Sequence, residues 1–227
     1  MKPPQIIIDR EVSKLGVVAA GFKCIGVIPE KHRPDIYSDL QHLVSETLSR
    51  HELAKLKNLP KVKAYRKFMW QIGIDPTKTR LSSEALIRRI LRKKSLPSIN
   101  SIVDSCNMAS IETLIPISAF DAERVNKEIL IRKSLPGEVF VDIHGKEKHL
   151  KGDEILVTDS LNNKLHLLLF RDSNYAKITY TTRGVLGLAY GVPDIPVIEV
   201  TKTAEAFRNY LLRYYPNAIC TEVIVSP

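Results

Sequence analysis

Long apolar runs are missing from this sequence. The longest candidate, residues 16–28, is interrupted by Lys23 and falls well short of the roughly 20 residues a membrane-spanning helix needs. The opening Met-Lys-Pro-Pro-Gln and the three isoleucines after it hold no secretory h-region and no small-residue cleavage site. A cytoplasmic protein with no membrane association is therefore expected. Cysteine is scarce: Cys24, Cys106 and Cys220 are odd in number and far apart, so no disulfide framework is expected. Metal-ligand spacing is also lacking. The six histidines contain no His-Glu-x-x-His and none pairs with a cysteine at ligand spacing; His144 and His149, across an expected hairpin, are more often exposed residues than ligands. Neither a metal nor a cofactor is expected. Gly184, Gly187 and Gly191 do not fit the dinucleotide fingerprint, no phosphate-cradling Gly-x-x-x-x-Gly-Lys occurs, and no Gly-x-Ser-x-Gly elbow is present. Cys106 has no histidine near it in sequence, which favours inert packing over nucleophilic use.

What remains is 227 residues with 44% apolar content, enough for one sizeable core. The net charge of +9 is concentrated. Residues 50–94 carry 14 Lys or Arg against three acids (Glu52, Asp75, Glu84), a balance of +11, which leaves −2 for the rest. This segment has helical order. Tyr65, Phe68, Met69 and Ile72 form one apolar stripe ended by Gly73. Ser82 or Ser83 is expected to cap a second helix with Glu84 in its first turn, and Leu86, Ile87, Ile90 and Leu91 make its buried face. A solvated face with dipole-matched charges explains one such helix; two in succession favour a polyanion, since cations near phosphates release condensed counterions. The residues expected to meet it are Lys63, Arg66, Lys67, Lys78, Arg80, Arg88, Arg89, Arg92 and Lys93.

Along the chain, residues 5–12 and 16–28 are expected as strands and 35–50 as a helix. The two basic helices follow, then a short helix capped by Asn100 and running through Glu112. Strands are expected at 128–132, 154–158, 165–170, 176–180, 197–200 and 219–225. Residues 138–143 and 147–150 form a hairpin around His144-Gly145, 184–191 is a glycine-rich stretch, and a last helix covers 203–215. Helices first and strands later, without steady alternation, imply an α+β fold. One domain over 1–227 is expected, with strands and basic helices in 1–95 and a strand-rich, pocket-forming part in 96–227.

The run Ile99-Asn100-Ser101-Ile102-Val103-Asp104-Ser105-Cys106-Asn107, followed by Pro116-Ile117-Ser118-Ala119-Phe120-Asp121, resembles the editing domain of the phenylalanyl-tRNA synthetase beta subunit, the tRNA-binding B3/4 domain. There the corresponding patterns are Val-Asp-Val-Thr-Asn and Gly-Gln-Pro-Leu-His-Ala-Phe-Asp. Ile131-Arg132, Gly137-Glu138, Ile143-His144-Gly145 and Val157-Thr158-Asp159 keep that order, and Lys63-Ala64-Tyr65-Arg66-Lys67 through Gly73-Ile74-Asp75-Pro76 is similar to free-standing members. The likeness covers about residues 60–190. It implies the B3/B4-like fold, a mixed or antiparallel sheet with helices packed on it.

The resemblance also implies a module that hydrolyses a wrong amino acid from the terminal ribose of a tRNA. The chain is too short for the synthetase catalytic domain, so amino-acid activation is not expected and a free-standing copy would act in trans. By motif, Asn107 falls on the family's asparagine, Cys106 replaces its threonine and Ser118 its histidine. Asp172 falls near a pocket glutamate, although Phe170 and Arg171 stand where the family has two glycines. Gly187, Leu188, Ala189 and Tyr190 would form the opposite wall. Asn107, Ser118 and Asp172 are thus the candidate catalytic residues, and Cys106 a pocket residue. Asn107 keeps a second reading, as a cap or backbone bridge, and Asp104 and Asp121 suit turns better than chemistry. Because the tyrosine-selecting pocket is not reproduced, another amino acid is expected as substrate, with a polar or longer flexible side chain. The leading reading is a trans-acting aminoacyl-tRNA deacylase; the alternatives are a non-catalytic tRNA-binding module, with or without a synthetase partner, and a small amino-acid-binding protein.

Overall fold

The computed structural model describes residues 1–226. The chain starts with β1 (Ile6–Ile8), a single helical turn α1 (Arg10–Ser13) and β2 (Val18–Ile25). The first expected strand is cut short because the Asp9 carboxylate accepts the Glu11 amide hydrogen at 2.8 Å and turns the backbone into α1. Four helices follow: α2 (Pro34–Arg50), α3 (Pro60–Gln71), α4 (Ser82–Lys93) and α5 (Ser101–Thr113). Pro34 and Pro60 begin α2 and α3, where a missing N–H costs nothing. Gly73, at φ +74°, turns the chain away after α3. The expected serine cap of α4 is not used: Leu81 is the N-cap residue, and Ser82 and Ser83 lie inside the helix. Asn100 does cap α5, accepting from the Ile102 and Val103 amides at 3.1 and 3.0 Å.

The strands are β3 (Ile117–Asp121), β4 (Ile129–Lys133), β5 (Val139–Val141), β6 (Glu147–His149), β7 (Ile155–Asp159), β8 (Lys164–Leu167), β9 (Arg171–Asp172) and β10 (Gly184–Gly191). Helix α6 (Val197–Tyr214), β11 (Ile219–Cys220) and β12 (Ile224–Ser226) complete the chain. Two strand expectations fail. Residues 176–180 form an irregular crossing held by the Asp121 amide on the Ala176 carbonyl and by Thr182 on Thr179. The segment 197–200 is the first turn of α6: Pro196 sets the entry, Glu199 lies in the first turn, and Val200, Thr203, Ala204, Phe207 and Leu211 are buried at helical spacing.

Two sheets result, ordered β1-β4-β7-β8-β9 and β11-β2-β10-β3, with β12 also on β2 and β5-β6 as a separate hairpin. Only β1 with β4 is parallel among the named pairs. This is an α+β fold with mixed and antiparallel sheets. The amino-terminal strands are stitched into sheets whose other members come from later in the chain. The glycine-rich stretch is the buried centre of the second sheet, and α6 packs on it. A Cβ at Gly187 would come within 3 Å of the Phe22 and Phe207 rings, so that glycine lets helix and sheet approach. Cys24 and Cys220, far apart in sequence but paired across β2 and β11, are joined in a single disulfide, which the expectation of no disulfide framework did not foresee. No helix among the described residues is long and apolar enough to cross a membrane.

Candidate functional site

A cavity of about 170 Å³ opens between α5, β3, the end of β9 and the tip of the β5-β6 hairpin. Cys106, Asn107, Ser118 and Asp172 all line it. Four distant pieces of sequence meet here because α5 packs on β3 while the β8-β9 hairpin brings Asp172 alongside. The Ile143 amide donates to the Asp172 carbonyl at 3.0 Å, which ties the hairpin tip to the rim.

Histidine 166, which no motif had marked, organises this cluster. It sits opposite Asp172 in the β8-β9 register, and its Nδ1 is 2.9 Å from the Asp172 carboxylate and 3.4 Å from Ser118 Oγ. Its ring is 2% exposed and lies flat against Tyr190, with centroids 5.0 Å apart and an interplanar angle of 3°. In a serine–histidine–aspartate triad the nucleophile and the carboxylate occupy opposite ring nitrogens. Here both meet Nδ1. Donation from Nδ1 to the carboxylate leaves that nitrogen unable to take a proton from Ser118, so the cluster positions a carboxylate rather than activating a serine. His166 Nε2 and the Tyr190 hydroxyl are buried without a partner among the described residues.

The other groups fit the same picture. Burial, and then the charge of Asp172, push the Cys106 thiol well above its ordinary range, so it stays protonated and donates weakly to the Ile117 carbonyl. The Asn107 amide is half-buried, and no hydrogen bond to another described residue occupies it. Asn107 lies mid-helix in α5, whose cap is Asn100, so it serves neither as a cap nor as a backbone bridge among the described residues. The Asp172 side chain is 43% exposed, so one face of its carboxylate is open to a ligand while His166 holds the other. Lys177 adds a cation to the cavity wall. Gly187, Leu188, Ala189 and Tyr190 lie in buried β10 and do not line the cavity; Tyr190 supports it from behind through His166. Asp104 takes hydrogen bonds from Ser98 Oγ (2.5 Å) and the Ile99 amide (2.9 Å), and Asp121 from the Glu123 amide and Thr182, so both hold turns. A histidine inside the apolar run 165–170, six residues before an aspartate, was the available signal for His166.

The basic segment divides in two. The Glu84 carboxylate is fully buried and is gripped by Arg66 (2.9 and 2.8 Å) and Arg88 (2.6 Å). Burial pushes this carboxyl up, and the two guanidiniums more than offset it, holding it below the ordinary range. Lys67 pairs with Asp194 on the surface. Lys63 and Lys78 are exposed. Arg80, Arg88, Arg89, Arg92 and Lys93 line one open depression along α4 that no carboxylate enters. His144 and His149 are exposed on the hairpin, as that reading allowed.

The family model of the B3/4 domain matches residues 64–210, more than half of the chain. Similar curated proteins include the phenylalanine–tRNA ligase beta subunits of Thermotoga maritima, 41% identical over 66 residues, and Protochlamydia amoebophila, 38% over 71. These alignments cover 29% and 31% of this chain and 8% and 9% of those proteins. That of Bdellovibrio bacteriovorus is 33% identical over 113 residues, 49% of this chain and 14% of the relative. The matched segment thus spans about a tenth of these relatives' length. Among solved structures, an N-terminal fragment of the phenylalanyl-tRNA synthetase beta subunit from Pyrococcus horikoshii has the same fold, at TM-score 0.51 and 12% identity. It covers 100% of this chain and 55% of that fragment.

Proposed function

Because the chain belongs to the B3/4 domain family, we propose that it binds tRNA and, acting in trans, hydrolyses the ester of a mischarged amino acid. The observation that carries this reading is the convergence of Asn107, Ser118 and Asp172 on one small cavity, with Asp172 anchored by buried His166. At about 170 Å³ the cavity is below the roughly 300–1,000 Å³ of drug-sized pockets and suits an amino-acid-sized group. The open face of the Asp172 carboxylate receives the α-ammonium. The Asn107 amide, with donors and an acceptor, holds the ester carbonyl or the ribose. Water then attacks the carbonyl carbon and the ester C–O bond breaks. One proton of the water goes to the departing ribose oxygen and the other to solvent, and the amino acid departs as its carboxylate. Stabilising the developing oxyanion is the natural task of a positioned amide. Ser118, small and buried, leaves room for a side chain other than tyrosine and offers it one hydroxyl. The exposed cations of α4 meet the tRNA backbone, and the site of action is the cytoplasm.

A second reading has its own observation. Ser118 and Asp172 share one nitrogen of His166, and Cys106 is held as a thiol, so no side chain here is an activated nucleophile. That suits a module that grips charged tRNA, alone or beside a synthetase, without cutting it. Incubating the protein with a panel of correctly and incorrectly charged tRNAs separates the two. Faster ester loss from one mischarged species, surviving chelation, is expected for the deacylase. Tight binding of charged tRNA with no ester loss anywhere in the panel would make it a carrier.

A further inference from the structure

The cavity does not stand alone on the surface. The α4 depression lined by Arg80, Arg89, Arg92 and Lys93 shares Arg89 and Lys93 with a second, larger one of about 580 Å³. That second depression takes Tyr37 and Gln41 from α2 and residues 95–98 as its other lining. It ends at Ser98, and the wall of the candidate cavity begins at Ile99 and Asn100. The two outer depressions are thus continuous along α4, and the exposed Ser98–Ile99 segment is the lip that separates the second from the Asp172 cavity.

The chemistry along this track is uniform. Among the described residues, no carboxylate lines either outer depression. Arg80, Arg89, Arg92 and Lys93 have no acidic partner within salt-bridge distance among the described residues, unlike Arg66 and Arg88. Tyr37 is 54% exposed, a large ring left in the open beside two unpaired cations. The Asp104 carboxylate accepts from the Ser98 hydroxyl and the Ile99 amide, which fixes the lip and occupies both of its oxygens within the protein. A cationic surface path with one exposed ring is how proteins hold unpaired nucleotides: cations follow the phosphates, and an unstacked base lies on the ring. A duplex offers no free base face to Tyr37.

We propose that this track holds the single-stranded 3′ end of an RNA, with phosphates against Arg89 and Lys93, one base stacked on Tyr37, and the terminal nucleoside over the Ser98–Ile99 lip. The placement deepens the reading given above and rests on it for what enters the cavity. It adds a base-stacking residue on a helix outside the segment matched by the family model.

Binding of one uncharged tRNA, intact and with its unpaired 3′ nucleotides trimmed, tests the track by fluorescence anisotropy. For the wild type, trimming is expected to weaken binding. Tyr37→Ala should weaken the intact tRNA about tenfold, in line with the loss of one base–ring stack, and leave the trimmed tRNA unchanged. Tyr37→Phe should keep the wild-type pattern, since only the ring face is used. Unchanged binding of intact tRNA by Tyr37→Ala, or equal loss for intact and trimmed tRNA, overturns the proposal. Measured beside ester loss, the outcomes stay distinct. A Tyr37-dependent preference for the intact end without hydrolysis sinks the deacylase and supports the track. Hydrolysis that is indifferent to Tyr37, with unchanged binding, sinks the track and leaves the deacylase standing.

Discussion

Arg88 and Arg89 are neighbours on α4 with opposite fates. Arg88 turns toward buried Glu84, which it shares with Arg66 from α3, while Arg89 stands in the open with no acid near it. The cavity under α5 treats charge in a third way: Asp172 is half open, and the group that holds it, His166, is buried. On the helices, then, the carboxylate is inside and the cations reach outward; at the cavity the carboxylate faces out and its partner is inside. The first arrangement is a structural clamp that displays spare positive charge at its edge. The second is an anchored anion with its outer face left open. Proximity in sequence says little about which role a charge takes. The direction of its partner decides it.

The sharpest way to break this comparison is to remove the clamp. Glu84→Gln leaves Arg66 and Arg88 facing a buried neutral amide, and breaking a buried ion pair typically costs about 3–5 kcal/mol. Because both arginines are partly exposed, at 20% and 16%, and can turn to water, about 2–4 kcal/mol is expected in urea unfolding. The folded Glu84 carboxyl titrates below its ordinary value near 4.5. Its contribution is therefore present in full above that value and is lost as pH falls through the folded value. The gap between wild type and Glu84→Gln should accordingly be widest near neutral pH and close on acidification below 4.5. A gap that is absent, or that widens in acid, would make Glu84 an ordinary surface charge.

The next prediction bears on the cavity. Asn107→Ala removes a free amide and no internal hydrogen bond, so stability should hardly move. Ester hydrolysis should fall by on the order of a hundredfold in kcat. Asp172→Asn should raise KM more than it lowers kcat, because binding of the ammonium is what it loses. His166→Phe keeps a ring against Tyr190 while releasing the carboxylate, and should give a weaker form of the Asp172→Asn effect. Equal kinetics in all three variants would detach the cluster from the reaction.

These residues were legible in the sequence to unequal degrees. The basic helices and the hairpin at His144-Gly145 were readable from local spacing, because the signal and the structure both live within a dozen residues. The roles inside the basic segment were not, since the Arg66–Glu84–Arg88 clamp depends on how α3 meets α4. Residues 197–200 misled for a related reason: three β-branched apolar residues around Glu199 read alike in a short strand and in a first helical turn, and Pro196 was the cue that mattered. The pocket came only through the likeness around residues 99–121, which led to Asn107 and Ser118. Asp172 was reachable by loose alignment. His166 and Lys177 come from a strand pairing and a loop crossing that no local pattern announces. Gly187 was assigned to the pocket wall when its lack of a side chain serves the packing of Phe22 and Phe207.

The smallest effect discriminates best between the two arginines with which the comparison began. Arg89→Ser and Arg92→Ser remove exposed, unpaired cations, so folding stability should stay within about 0.5 kcal/mol of wild type. Each should weaken every tRNA alike, by a few-fold at moderate salt, because a phosphate contact carries no sequence information. The slope of log affinity against log salt should become shallower by about one for each cation removed from a phosphate. Arg88→Ser is the control one position away. Its guanidinium borders the same depression but is engaged by Glu84, so it should cost stability, through the freed carboxylate, and change the salt slope less than Arg89→Ser does. Titrating tRNA into the three variants at several salt concentrations, with urea unfolding alongside, reads both quantities. If Arg88 and Arg89 proved equivalent in both, the division of the basic segment into a clamp and a display would be wrong, and its cations would be acting as one diffuse positive surface.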